Sequence, residues 1–299
     1  MTTTGISEEL FTTVGEGIEL CYQTFGSPED EPLLLVMGLG GPMTWWDPEF
    51  CQLLADAGFF VIRYDNRDVG RSSRMRGRVT FQQLAMAFVG RPIKAPYSIP
   101  DLAGDALGLL DHLGIEAAHV VGISMGGMIA QTMAVTAPER VRSLTSIMST
   151  TGNRKVGWQH PILIPGLLTK VRTKEEYVAS GLKMWRLIGS PDYPVSEADL
   201  RSRGESTWDR GGSTAGVARQ MLAVLTQPDR TKALRQLTVP TTVIHGLADR
   251  MVNVSGGRAT AKAVPGSQLL LVKGMGHDLP QPLWPTFVGT IRATADRAR

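Results

Sequence analysis

The chain has 299 residues, 42% hydrophobic and 20% charged, which fits one large globular domain or a domain carrying an insertion. Its 31 basic and 28 acidic residues give a net charge of +3, too small for a nucleic-acid partner, and no apolar run reaches transmembrane length, so no membrane partner is expected. Two cysteines, Cys21 and Cys51, make neither metal-ligand spacing nor a disulfide framework, and the first residues lack the basic and apolar regions of a secretory signal; reduced thiols and a cytoplasmic location are the expectation.

Leu10–Val14 and Ile18–Phe25, split by Gly15-Glu16-Gly17, predict an antiparallel hairpin at a sheet edge. Residues 33–37 form an uninterrupted apolar run, the pattern of a strand buried on both faces of a parallel sheet. It leads into Gly38-Leu39-Gly40-Gly41-Pro42, where bare backbone N–H groups either serve a developing oxyanion or simply form a flexible loop. A helix over 45–57 and the strand Phe59–Tyr64 follow. Asp65, at that strand's end, is expected to tie its own loop through backbone hydrogen bonds. The stretch from Arg63 to Arg78 holds six arginines and two aspartates; it reads as a solvated loop, with an anion site as the alternative. Residues 79–96 form an apolar, Pro-punctuated segment without a sheet role, in which Phe81, Met86 and Phe88 either line a pocket or pack.

An amphipathic helix over 101–113 precedes a strand over 118–123, a helix over 125–137 that Pro138 ends, and a strand over 141–148. Alternation of this length means a parallel sheet with helices on both faces. From 151 to 229 the alternation stops. Helical patterns cover 161–171, 173–189, 196–210 and 213–226, studded with Trp158, Met184, Trp185, Trp208, Met221 and Leu222. This segment is expected to lie over the sheet's edge as a cap, with most of its large residues forming its own core and a few facing the cleft. A strand over 239–245, a helix over 254–264, the strand Gln268–Val272 and a closing helix over 284–297 complete the pattern. The expected division is 1–150 plus 230–299 for the core and 151–229 for the cap. Trp158, Trp185, Trp208 and Phe81 are the candidates for contact with a substrate.

The chemistry concentrates at Gly122-Ile123-Ser124-Met125-Gly126. With a strand before it and a helix after it, Ser124 sits on a sharp corner whose backbone is strained and whose flanking glycines remove clashing side chains. A serine hydroxyl is a poor nucleophile at neutral pH and needs a base, which in turn needs a group to hold its tautomer. Of the five histidines, His112 lies in a helix, His119 at the wrong end of the serine's strand, His160 in the insertion and His245 in a strand. His277 alone lies in a Gly-rich loop after a core strand, on the serine's edge of the sheet. Asp249 follows a strand on that edge too. Asp278 adjoins His277, but adjacent side chains diverge.

The order Ser124, Asp249, His277 matches that of α/β-hydrolases. Together with residues 37–41, 64–72, 122–127, 245–249 and 276–277, it makes the whole chain resemble that family, and within it small bacterial carboxylesterases of the aclacinomycin methylesterase kind. The resemblance implies a mostly parallel sheet flanked by helices, with a helical cap inserted after the sixth core strand. It also implies a serine esterase acting on a small-molecule ester, without cofactor or metal, its oxyanion hole made by the backbone N–H groups of Leu39 and Met125. Many relatives read His-Gly where this chain reads Met37-Gly38, which leaves open how the oxyanion loop is braced. A cofactor-free perhydrolase and a carbon–carbon bond hydrolase would use the same triad. Dehalogenase and epoxide-hydrolase relatives carry Asp at position 124. A ligand-binding protein on a hydrolase scaffold is the non-enzymatic alternative.

Overall fold

The computed structural model describes residues 5–163 and 171–298. In the first half, β1 (Leu10–Val14), β2 (Ile18–Phe25) and β3 (Glu31–Val36) precede α1 (Pro48–Asp56), β4 (Phe59–Tyr64), α2 (Phe81–Phe88), α3 (Ile99–His112), β5 (Ala118–Ile123), α4 (Met125–Thr136) and β6 (Val141–Ile147). The helices α5 (Lys174–Ile188), α6 (Glu197–Asp209), α7 (Thr214–Thr226) and α8 (Thr231–Leu234) come next. Then follow β7 (Thr241–Gly246), α9 (Ser255–Ala263), β8 (Gln268–Val272) and α10 (Trp284–Asp296). No helix among the described residues is long and apolar enough to cross a membrane.

The described strands form one sheet in the order β1-β2-β4-β3-β5-β6-β7-β8. Only the β1–β2 and β2–β4 pairings are antiparallel; the pairings from β4 through β8 are parallel. Side chains alternate across a strand, and both faces of β3 are covered. Leu33 and Leu35 join Phe50 and Leu54 of α1 and Phe287 and Ile291 of α10. Leu34 and Val36 join Leu102 and Leu109 of α3 and Ile129 and Met133 of α4. Each such fully buried side chain contributes about 1.5–3 kcal/mol. The parallel register sets Val36 beside Gly122, Ile123 beside Ile147, Ile147 beside Ile244 and Gly246 beside Val272. The C-terminal ends of β3, β5, β6, β7 and β8 therefore lie along one edge, where loops converge.

Local boundaries differ from the sequence pattern where capping decides. The helix expected over 45–57 starts only at Pro48, because Asp47 caps it through Glu49 N–H and Pro48 suits its first turn; Met43–Trp45 form a separate 3-10 turn. The helix expected from 101 begins at Ile99, where Ser98 and Asp101 make a capping box. A second capping box, Thr80 with Gln83, starts α2 in the apolar 79–96 segment, which takes no part in the sheet. The helix expected over 161–171 falls mostly outside the described residues, which hold only the 3-10 turn Pro161–Leu163.

The arginine-rich stretch is not simply a solvated loop. Arg71, Arg74, Arg76 and Arg78 are exposed, but Arg63 and Arg67 are buried. Arg67 grips Asp105 through two nitrogens at 2.6 and 2.5 Å. The loop's two aspartates are met by arginines of the α6–α7 region. Arg219 of α7 reaches Asp68 at 2.8 and 2.7 Å, and Arg210, at the end of α6, reaches Asp65 at 2.9 Å and Glu9 at 2.5 Å. The anions these arginines need come from the chain itself.

Removing one partner of a buried pair leaves an uncompensated charge. Asp68 keeps the Tyr97 hydroxyl and Met75 N–H as donors, so Arg219→Met should cost about 3 kcal/mol, the low end of the roughly 3–5 kcal/mol for breaking a buried pair. Urea unfolding midpoints at constant slope check this; a change under about 1 kcal/mol would mean the latch is not needed for stability.

Candidate active site

Ser124 stands between β5 and α4 with φ 56° and ψ −119°, a region that costs a non-glycine residue of order 1–3 kcal/mol. Close packing around it is the compensation. A Cβ on Gly122 would lie 2.1 Å from the Gly126 carbonyl oxygen, and one on Gly126 would lie 2.0 Å from that of Val36. No other residue type fits at either position. Ser124 N–H donates to the Ile147 carbonyl at 2.8 Å, and its own carbonyl accepts from the Ser149 hydroxyl at 2.8 Å.

The loops after β7 and β8 bring Asp249 and His277 to this corner. The Ser124 Oγ lies 3.0 Å from His277 Nε2, and His277 Nδ1 lies 2.7 Å from Asp249 Oδ2. An ionised carboxylate only accepts, so the Asp249 contact holds the ring proton on Nδ1 and leaves Nε2 bare toward the serine. Asp249 Oδ1 accepts from Met251 and Val252 N–H, each at 2.8 Å, and its side chain is fully buried. His277 N–H donates to the Ile188 carbonyl at the end of α5 at 2.7 Å, so that helix end holds the histidine loop.

His245, which the pattern confined to its strand, is buried against the same acid. Its Nε2 lies 2.8 Å from the Val252 carbonyl and 3.5 Å from Asp249 Oδ2. Burial holds its pKa below the ordinary imidazole value, and the neutral ring donates to Val252. Asp278 points elsewhere, accepting from the Ser190 hydroxyl; burial pushes its pKa up.

The Gly38-Leu39-Gly40-Gly41 loop runs beside Ser124: a Cβ on Gly38 would lie 3.2 Å from the serine Cβ. Leu39 and Met125 follow the ends of β3 and β5, which are neighbouring parallel strands. Among the described residues neither N–H has a backbone acceptor, as expected of a loop N–H and of the first residue of a helix. Asp65 ties the loop's far end, accepting from Met43 N–H at 2.7 Å and from Arg71 N–H at 2.9 Å.

The four expected substrate contacts do not gather in one place. The Trp185 ring meets Trp45 edge-to-face at 5.6 Å, and Trp45 covers Gly41 of the loop after β3. Arg203 also stacks on Trp185, beside a cavity of about 300 Å³ lined by Ser190, Leu200, Ala248 and Asp278. Trp208 leans on Tyr177 at 5.5 Å within the cap. Trp158 is 50% exposed and Phe81, on α2, is 65% exposed.

Comparison with known proteins agrees with this architecture. A family model described as the alpha/beta hydrolase fold matches residues 31–280. The chain is 30% identical over 283 residues to rhodomycin D methylesterase DnrP of Streptomyces peucetius, covering 88% of this chain and 90% of that protein. It is 26% identical over 258 residues to 3-oxoadipate enol-lactonase 2 of Acinetobacter baylyi, covering 86% of each. The crystal structure of the enol-lactonase from Burkholderia xenovorans superposes with a TM-score of 0.76 at 24% identity, covering 96% of this chain and 100% of that one. The chain belongs to the α/β-hydrolase family.

Proposed function

We propose that this protein is a serine hydrolase that cleaves carboxylic esters through Ser124, His277 and Asp249 and an acyl-enzyme intermediate. Carboxylic ester hydrolysis is the activity that the methylesterase and enol-lactonase relatives support. The continuous relay from Ser124 Oγ through the His277 ring to Asp249, at 3.0 and 2.7 Å, carries the finer reading. Ser124 Oγ attacks the ester carbonyl as its proton passes to His277 Nε2, and Asp249 stabilises the imidazolium. The N–H groups of Leu39 and Met125 take the charge that develops on the carbonyl oxygen. His277 then gives its proton to the departing alcohol. A water attacks the acyl carbon, its proton goes to His277, and the acid leaves as Ser124 regains its hydrogen. No cofactor or metal enters these steps. The cytoplasmic location and the 151–229 boundaries of the cap belong to this proposal too.

A panel of esters graded in acyl and alcohol size, with methyl esters of aromatic polyketides included, tests the reading. Turnover of an ester is expected. Activity confined to peroxide plus a short acid, or to a vinylogous diketone, would overturn it in favour of perhydrolase or carbon–carbon bond hydrolase chemistry.

The cap is expected to set which ester is taken. A few wall residues, at about 1–3 kcal/mol per methylene of fit, can produce a 10- to 200-fold preference. Trp158, Trp185 and Trp208 should be changed singly to Ala and assayed on esters of graded acyl length. Trp185→Ala is expected to shift the preferred length by about tenfold in kcat/KM, since its ring is one contact from the oxyanion loop. Hydrolysis of p-nitrophenyl acetate should stay within a few-fold. If all three keep the parent's preference, selectivity lies elsewhere, with the 79–96 segment next to test.

A further inference from the structure

We infer that Gln220, on cap helix α7, is a positioning residue for the oxyanion loop, so that the cap sets the geometry of the chemical step as well as covering it. The inference rests on the serine-hydrolase reading above. Gln220 is fully buried. Its Oε1 accepts from Gly40 N–H at 2.8 Å, and its Nε2 donates to the Arg67 carbonyl at 3.0 Å. Arg67 is itself anchored to Asp105, so one end of the amide is fixed to the core and the other holds the loop.

The peptide planes of the loop show why this matters. The Leu39 N–H lies in the plane joining Gly38 to Leu39. The plane before it is held because Asn66 Nδ2 donates to the Met37 carbonyl at 3.0 Å. The plane after it contains Gly40 N–H, and Gln220 holds that one. A peptide unit is rigid, and only the dihedrals at each Cα are soft. Fixing both neighbouring planes therefore restricts the direction of the Leu39 N–H. Gly40 has φ +68°, and a Val217 methyl carbon lies 2.8 Å from where a Cβ would stand, so the same helix also packs against this turn. These contacts brace the loop from both sides of the Leu39 peptide.

Gln220→Met keeps the length and removes both polar atoms, leaving a buried N–H and a buried carbonyl unpaired. The loop is then free to turn the Leu39 N–H aside. Loss of one oxyanion donor costs 10²–10³ in kcat; misalignment should cost less, about 10- to 100-fold. We expect that loss in kcat per active site, counted by fluorophosphonate titration, with KM within about threefold. Affinity for a trifluoromethyl ketone, which forms a tetrahedral adduct with the serine, should fall in parallel, because the adduct uses the oxyanion hole. Gln220→Glu is the rescue: burial holds its carboxyl protonated near neutrality, with one acceptor for Gly40 and one donor for Arg67, and most of the lost kcat should return there. A lower melting temperature with unchanged kcat per active site and unchanged ketone affinity would make Gln220 merely structural and overturn the inference. Should Gln220→Met not fold, Gln220→Glu carries the test alone. Its kcat should fall as pH rises and the new carboxyl ionises, and a wild-type pH profile would overturn the inference. A parent chain that turns over its ester and labels at Ser124 upholds the functional reading whatever the variants do; one that does neither overturns both.

Discussion

Ser124→Ala is expected to abolish hydrolysis of p-nitrophenyl esters and covalent labelling by fluorophosphonates, with the fold unchanged. Removing a triad nucleophile lowers kcat by about 10⁶ in a serine protease, below detection for an esterase of ordinary turnover. The fold should survive for a local reason. Alanine keeps the Cβ and so inherits the strained φ of 56° without adding to it, and the hydroxyl's partner is the His277 ring. The backbone bonds that hold the corner, Ser124 N–H to Ile147 and the Ser149 hydroxyl to the Ser124 carbonyl, do not involve the side chain. Circular dichroism and the thermal midpoint check the fold; mass spectrometry of the labelled protein checks the site. Label found on another residue of the Ala variant would sink the nucleophile assignment.

Asp249→Asn is expected to lower kcat by about 10⁴, while Asp278→Asn lowers it less than tenfold. The difference comes from what each carboxylate touches. Asp249 Oδ1 accepts from two backbone N–H groups, so an amide there turns its carbonyl oxygen to them. Its NH₂ then faces His277 Nδ1 and donates, which moves the ring proton to Nε2, against the serine. The base is then blocked by its own hydrogen although every heavy atom stays in place. Asp278 has no such hold on the ring. It binds Ser190, and burial already biases it toward the neutral form, which an amide imitates. Steady-state kinetics on one ester compares the two, and reversed losses would mean that the acid was misassigned.

Much of this was open to the sequence because short-range physics governs it. The apolar run at 33–36 and the largely apolar stretch at 118–123, which buries His119 as well, have the pattern of strands covered on both faces. Strand–helix alternation with right-handed crossovers then forces one parallel sheet, whose C-terminal edge gathers the residues that follow its strands. That is why Ser124, Asp249 and His277, spread over 153 positions between Ser124 and His277, come to one edge of the sheet and into hydrogen-bond contact.

The remainder depended on contacts that no local pattern carries. Gln220 sits on a buried stripe of α7 with Gly216, Arg219 and Ala223. A stripe of glycine, arginine, glutamine and alanine has no hydrophobic period to betray it, and polar residues are ordinarily assigned to solvent. Its partners, Gly40 and Arg67, lie 180 and 153 residues away. The same holds for Arg210 on Asp65 and for Arg219 on Asp68, 145 and 151 residues apart: whether a charge is solvated or buried depends on whether its counter-ion arrives from elsewhere in the chain. The pattern places His245 within or at the end of its strand and shows no partner for it, yet the turn at 249–252 folds back and brings Asp249 and the Val252 carbonyl to its ring. The sequence alone determined the parallel sheet and the residues at the C-terminal ends of its strands, because apolar periodicity and turn chemistry are local. Only the tertiary structure decided how α6 and α7 grip that edge, because each grip is a pairing of polar groups whose burial exists only once both segments are in place.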